Sequence, residues 1–249
     1  MDLRIVTLNM RFGAGSRILD KPAYDVPFST RKLSPIADAL ESVEPDIVAL
    51  QEVSSPRQAE RLAKLLKMGC AYTPHRSSYA FDFFEWGLAF LYKGKLIDSA
   101  NRCIHFCEEA RYGRQALMVR VSLDRIPVTL VNVHLELENI APQIENLINF
   151  VAPFEGPVVI MGDFNCRPDD GTLKNLKPRW ADTCRAVDST STREANLLGT
   201  LLYAKRRVDY ILVEPAAFEV REAGLLPPEH REVSDHTGYF TVLRYRLSH

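Results

Sequence analysis

Two β-sheets packed face to face, with helices on the outer faces, form the fold class this sequence predicts. Three observations predict it. Short apolar, β-branched runs such as Leu3 to Asn9, Ile47 to Leu50 and Pro157 to Met161 recur from end to end of the chain. Clear helical spacing occurs in about three segments, too few and too unevenly placed for a strict strand–helix–strand repeat. Compact polar blocks stand at or just past the ends of apolar runs, from Asn9 to His236, so one pocket at a sheet rim would draw on nearly the whole chain. That span predicts a single domain over residues 1–249.

The elements follow in order. Leu3 to Asn9 reads as a buried strand. Residues 11–30 carry Gly, Pro, Asp and Ser without a period and read as a long loop, a kind of segment that is often functional. Leu33, Ile36, Ala37, Leu40 and Val43 follow helical spacing, and Pro45-Asp46 ends that helix. Ile47 to Leu50 is a second buried strand, running into Gln51-Glu52. Arg57 to Met68 reads as a second helix with Gly69 as its stop. Trp86 to Tyr92 is a strand closed by a Lys93-Gly94-Lys95 turn. Ala116 to Val121 and Pro127 to Val133 read as hairpin partners around Asp124-Arg125. Ile140, Ile144, Leu147, Ile148 and Val151 mark an amphipathic helix. Pro157 to Met161 leads into Gly162-Asp163, and Val208 to Val213 and Tyr239 to Tyr245 supply two more strands.

Composition narrows the classes. The apolar share of 46% is ordinary for a globular protein, and the net charge of -1 excludes a global basic field for nucleic acid. A local basic face remains open, with Arg111, Arg114 and Lys205-Arg206-Arg207 as candidates against a plain solvated surface. The five cysteines are odd in number and contain no Cys-x-x-Cys pair, which argues against a zinc site and for a reducing compartment. The N-terminus enters a strand at once, without the pattern of a signal peptide, and no apolar run is long enough to span a bilayer. A cytoplasmic monomer is the expectation.

The polar blocks carry chemistry. They are Thr7-Leu8-Asn9, Gln51-Glu52, Asn132-Val133-His134, Gly162-Asp163-Phe164-Asn165, Arg207-Val208-Asp209-Tyr210-Ile211 and Ser234-Asp235-His236. Phosphate esters resist hydrolysis because anionic oxygens repel the nucleophile and the leaving oxygen departs poorly. A site must neutralise charge, generate hydroxide and stabilise the leaving group. Glu52, Asp235 and the amide oxygen of Asn9 are ligand types for a hard cation, Mg²⁺ or alternatively Mn²⁺. Asp163-x-Asn165 puts two side chains on one side of an extended segment, one to accept a water proton and one to orient water or meet phosphate. His236 offers a donor to phosphate or a base, Asp209 a buried partner for it, and His134 an acid for the leaving oxygen. Each has a duller alternative: Asn9 as a strand end, Glu52 as a helix N-terminal acid, Gly162 to Asn165 as a turn, His134 as a sheet histidine. Asp209 between Val208 and Tyr210 is harder to dismiss, since a carboxylate there needs a partner.

In combination and in this order, the blocks resemble the endonuclease/exonuclease/phosphatase superfamily, also called DNase I-like. The resemblance implies an α/β fold, a four-layer αββα sandwich of two mixed β-sheets flanked by helices. It implies a metal-dependent phosphoesterase, with a phosphate-ester substrate and nucleic acid as one option beside lipid headgroups and inositol phosphates. By the same resemblance, Asn9, Glu52 and Asp235 are metal-site residues, and Asp163 and Asn165 activate and orient water. Asp209 supports the catalytic His236, and His134 is the second histidine, supported by Glu85. Two departures stand out. Asn132-Val133-His134-Leu135 lacks the tyrosine of abasic-site endonucleases, and Gly87-Leu88 with Phe90 to Lys93 alters one pocket wall. Phe81, Phe83, Phe84 and Trp86 read either as an aromatic edge near the site or as core, and Cys166 either as a thiol able to disturb the phosphate site or as inert. A binding module that kept the fold without catalysis is the alternative class.

Overall fold

The computed structural model describes residues 2–13, 15, 33–77, 86–108 and 112–246. The first sheet is built from β1 (Asp2–Asn9), β2 (Ile47–Val53), β3 (Gly69–Pro74), β5 (Gly87–Tyr92), β12 (Phe218–Leu225) and β13 (Tyr239–Tyr245), in the order β12-β13-β1-β2-β5-β3. The second holds β4 (Arg76–Ser77), β7 (Tyr112–Leu123), β8 (Ile126–His134), β9 (Val158–Asp163), β10 (Ala181–Asp182) and β11 (Asp209–Val213), in the order β10-β11-β9-β8-β7-β4. A further strand, β6 (Lys95–Cys107), pairs with β7. Each sheet is mixed: β1 with β2 and β8 with β9 run parallel, and their other neighbours antiparallel.

The helices are α1 (Leu33–Glu41), α2 (Pro56–Leu65), α3 (Ile140–Val151), α4 (Thr183–Ala186) and α5 (Thr190–Leu198). Side-chain alternation along the strands divides the core into three apolar layers. Ile5, Ala49 and Phe90 of one sheet meet Val119, Leu130 and Met161 of the other between the sheets. Val6, Leu8, Val48 and Leu50 face outward onto Ile36 and Leu40 of α1 and Leu62 of α2. Val131, Val133 and Ile160 face outward onto Ile144 and Leu147 of α3. Strands covered on both faces become continuous apolar runs, which is why they stood out in the sequence. The expected four-layer sandwich is the observed fold.

Polar side chains also cross between the sheets. Asn132, fully buried, donates to the carbonyls of Leu50 and Ala89 at 2.9 and 3.0 Å and accepts from Gln51 Nε2 at 2.7 Å. Gln51 in turn reaches the Thr7 hydroxyl at 3.2 Å.

Several element boundaries differ from expectation. The second helix starts at Pro56 behind a Ser55 cap and stops at Leu65, so Gly69 opens β3 rather than ending the helix. Strands β3, β6 and β12 and the helix α5 escaped notice in the sequence. β6 alternates too weakly, with most residues exposed on an edge, and α5 is set by a Ser189–Thr192 capping box rather than an apolar stripe. Most of the long 11–30 loop lies outside the described residues.

Candidate active site

Three strands of the second sheet end at one rim in register. His134 closes β8, Asp163 closes β9 and Asp209 opens β11, and the pairings place His134 beside Asp163 and Asp163 beside Asp209. Gly162 precedes Asp163 with φ 136°, and a Cβ there would collide with the Val133 carbonyl, so only glycine lets β8 and β9 close up at this point. Asp209 is further fixed by Thr200, whose hydroxyl accepts the backbone N–H groups of Val208 and Asp209 at 3.0 and 3.1 Å.

The first sheet contributes the facing rim. Asn9 ends β1 and pairs with Gln51 of β2. The β2–β5 register breaks between Leu50 and Val53, and Glu52 sits there with φ 53°. This left-handed bulge turns Glu52 into the site instead of along the strand, a strain that clusters at functional positions. Asn9 joins the rims: its Nδ2 donates to Glu52 Oε1 at 3.1 Å and to Asp163 Oδ2 at 3.2 Å. The Ser234-Asp235-His236 segment is tied to the same place, with Ser234 Oγ donating to the Asn9 carbonyl at 2.7 Å.

Asp163 is the centre of the arrangement. It is 1% exposed, and its Oδ1 accepts the Asn165 N–H at 2.9 Å. Its Oδ2 lies 3.6 Å from His134 Nε2 and 3.8 Å from His236 Nε2. His236 Nδ1 is bonded to Asp209 Oδ2 at 2.8 Å. Burial, then the charge of Asp209, push the Asp163 carboxyl well above the usual carboxylate range. Burial opposes charge on His236, but the carboxylates of Asp209 and Asp163 outweigh it and raise the imidazole well above its ordinary value. Burial, with the Arg114 charge and the neighbouring histidines, drives His134 the other way, so it is a neutral imidazole at pH 7. Sequence expectations for the two histidines thus become distinct: His236 is a charged donor and His134 offers an N–H rather than a spare proton.

Ligand atoms of Asp163, Asp209 and His236 lie within 4.8 Å of one another, a spacing that can hold a metal ion. The Asp209–His236 hydrogen bond equally suits a proton-handling pair. The second donor set is Glu52 with Asp235. Burial raises the Glu52 carboxyl, against the Asn9 hydrogen bond and with a smaller contribution from the Asp235 charge. Two carboxylates that line one cavity and repel each other fit a hard divalent cation. Asn9 presents its amide nitrogen to the carboxylates of Glu52 and Asp163, and its Oδ1 accepts the Arg11 N–H.

All the named site residues but one come together. Asn9, Glu52, His134, Asp163, Asn165, Asp235 and His236 line one cavity of about 420 Å³, and Asp209 lies beneath it. Glu85, Arg111, Phe81, Phe83 and Phe84 lie outside the described residues. Asn165 spends one amide N–H on the Leu135 carbonyl at 2.8 Å, keeping the other and its oxygen. Arg207 is no part of a basic face: its side chain is 1% exposed, paired with Asp182 and stacked on Tyr210 at 4.5 Å. Cys166 is buried and its thiol is pushed up to about 12 by burial, which makes it unreactive.

The surroundings of His134 were not foreseen in full. Trp86 stacks with Tyr112 at 6.0 Å and meets His134 edge-on at 5.6 Å. The Arg114 guanidinium lies 4.6 Å above Trp86 and is bridged to Glu136. Glu136, two residues past His134, and Thr200 belong to no motif and were not singled out in the sequence.

Comparisons with known proteins agree with this geometry. The sequence model of the Endonuclease/Exonuclease/phosphatase family matches residues 6–236. No curated protein sequence matches this chain. Among solved structures, an endonuclease/exonuclease/phosphatase from Beutenbergia cavernae superposes with a TM-score of 0.73 at 20% identity, covering 98% of this chain and 72% of that one. The human Nocturnin catalytic domain with bound sulfate anion gives 0.75 at 19% identity, covering 98% and 94%. A mannosyl-6-phosphatase from Bacteroides thetaiotaomicron gives 0.69 at 16% identity, covering 97% and 99%. Likeness at these identities is likeness of fold, and the match over nearly the full length carries the assignment. The chain belongs to the endonuclease/exonuclease/phosphatase family, whose members are hydrolases acting on phosphate esters.

Proposed function

We propose that this protein is a Mg²⁺-dependent phosphoesterase that directs water at a phosphodiester or phosphomonoester bond. The observation that carries the reading is Asp163: a buried carboxylate with a raised pKa, flanked by both imidazoles. Such a carboxylate is tuned to take a proton from water near neutral pH. Asn165, held by Leu135 on one side, orients that water through its free amide oxygen. His236, kept charged by Asp209, donates to a non-bridging phosphate oxygen as negative charge builds. Neutral His134 donates its N–H to the oxygen on the leaving side. Glu52 and Asp235 would hold the divalent ion, with Asn9 bracing Glu52. The ion would supply charge neutralisation at phosphate and a more acidic water. One neighbouring structure holds a sulfate anion, a tetrahedral group like phosphate, and another is of a protein named a mannosyl-6-phosphatase. A nucleic-acid strand is the first specific substrate to try, and steep salt dependence of its binding would support it.

Hydrolysis of bis-(p-nitrophenyl) phosphate with Mg²⁺, compared with EDTA, tests the reading. Wild type should turn over only with metal, and Asp163→Ala should lose activity at least a hundredfold. Wild type as inactive as Asp163→Ala on diesters, monoesters, RNA and DNA would end the proposal.

A further inference from the structure

Two cavity-lining arginines have side chains without a partner among the described residues. Arg167 and Arg206 are both exposed and both line the catalytic cavity. Among the described residues neither guanidinium has a hydrogen-bond or ion-pair partner. Their neighbours are committed: Arg114 to Glu136, Arg207 to Asp182 and Arg11 to Asp235.

Their backbones, by contrast, are held firmly. The Arg206 carbonyl accepts the N–H groups of Thr200 and Leu201 at 3.0 and 2.9 Å, and its own N–H donates to the Leu201 carbonyl at 3.4 Å. Gly199, with φ 73°, lies so close that a Cβ on it would collide with the Arg206 backbone. Arg167 follows Cys166, whose carbonyl accepts the Tyr210 hydroxyl at 2.8 Å. Both guanidinium groups are thus available to a ligand in the cavity, carried on backbones that do not have to move. The same cavity carries the acidic Glu52, Asp163 and Asp235, and a net charge of -1 provides no global attraction for an anion. Guanidinium groups suit phosphate oxygens, which they can take in pairs. A cavity of about 420 Å³ also admits a ligand larger than one phosphate.

We infer that the substrate carries a second phosphate group besides the scissile one, and that Arg167 and Arg206 bind it. The inference rests on the phosphoesterase reading of the same site. A second phosphate has two sources, a neighbouring linkage in a nucleic-acid strand or another ester on a small molecule.

The test has two kinetic arms. One compares a thymidine dinucleotide with and without terminal phosphates; the other compares a hexose monophosphate with its bisphosphate. In the arm that is turned over, the second phosphate should lower KM at least tenfold for wild type. That ratio should fall below twofold in R167A/R206A and recover in part in R167K/R206K. The productive arm names the source. A wild-type ratio near one, or a ratio that survives in the alanine variant, overturns the inference while turnover itself leaves the phosphoesterase reading intact. Calorimetric titration in EDTA with thymidine 3′,5′-bisphosphate and thymidine 5′-monophosphate reads the same preference without turnover. Equal affinity of wild type for the two overturns the inference even if hydrolysis fails.

Discussion

Asp209→Asn is the most informative single change at this site. The substitution keeps the shape of a side chain that is 1% exposed and removes only its charge. The bond from His236 Nδ1 to Asp209 Oδ2, 2.8 Å long, then becomes neutral-to-cation rather than anion-to-cation. An opposite charge within about 4–6 Å favours the charged form by about 1–3 pH units, and the imidazolium loses that hold. The His236 pKa therefore falls by about one to three pH units, at about 1.4 kcal/mol for each. The Asp163 carboxyl moves in the same direction, because the Asp209 charge is part of what raises it. If deprotonated Asp163 sets the acid limb of the pH–rate profile and protonated His236 the alkaline limb, both limbs shift to lower pH. The assay is kcat for bis-(p-nitrophenyl) phosphate from pH 5 to 10 at saturating Mg²⁺. A profile that drops in height without moving along the pH axis would refute this reasoning, since it would assign Asp209 no electrostatic hold on the pair.

Three further outcomes follow from the geometry. Glu52→Gln should weaken Mg²⁺ binding at least tenfold by calorimetry while the melting temperature stays within a few degrees, since Asn9 still has an oxygen to bond. Asn132→Ala should cost about 2–5 kcal/mol in urea unfolding, because it removes the donor to the Leu50 and Ala89 carbonyls and one acceptor of the Gln51 amide between the sheets. Acid should destabilise the fold through His75 and His134, both held well below the ordinary histidine value by burial, then by the Arg114 charge. The unfolded chain binds protons that the folded chain refuses, so this stability is fully present above about pH 6.5 and is lost as pH falls from there toward the folded values. Each histidine contributes at most about 1.4 kcal/mol per pH unit, and His75→Gln should flatten the slope of stability against pH below 6.5, measured by urea titration.

Much of the site could be read before any coordinates. Carboxylates, amides and imidazoles placed just after fully apolar runs had to lie at strand ends, because a charged group within such a run needs a buried partner. Asn9, Glu52, His134, Asp163, Asn165, Asp235 and His236 reach one cavity for that reason. The strands themselves were visible because sheets covered on both faces demand continuous apolar residues. Edge and half-exposed elements such as β6 and α5 were not, since solvent imposes no comparable pattern on them.

Composition and order along the chain thus determined which groups meet and the class of reaction they suit. Register and charge environment decided what each group does. Nothing local tells that His134, Asp163 and Asp209 stand side by side, because pairing register depends on strands far apart in the chain. Nor does the Arg206-Arg207 pair say that one arginine lines the cavity while the next is a buried strut to Asp182. The opposite shifts of the two histidines have the same origin. Both are the same residue at a strand rim, and only the neighbours brought by the fold make one charged and the other neutral.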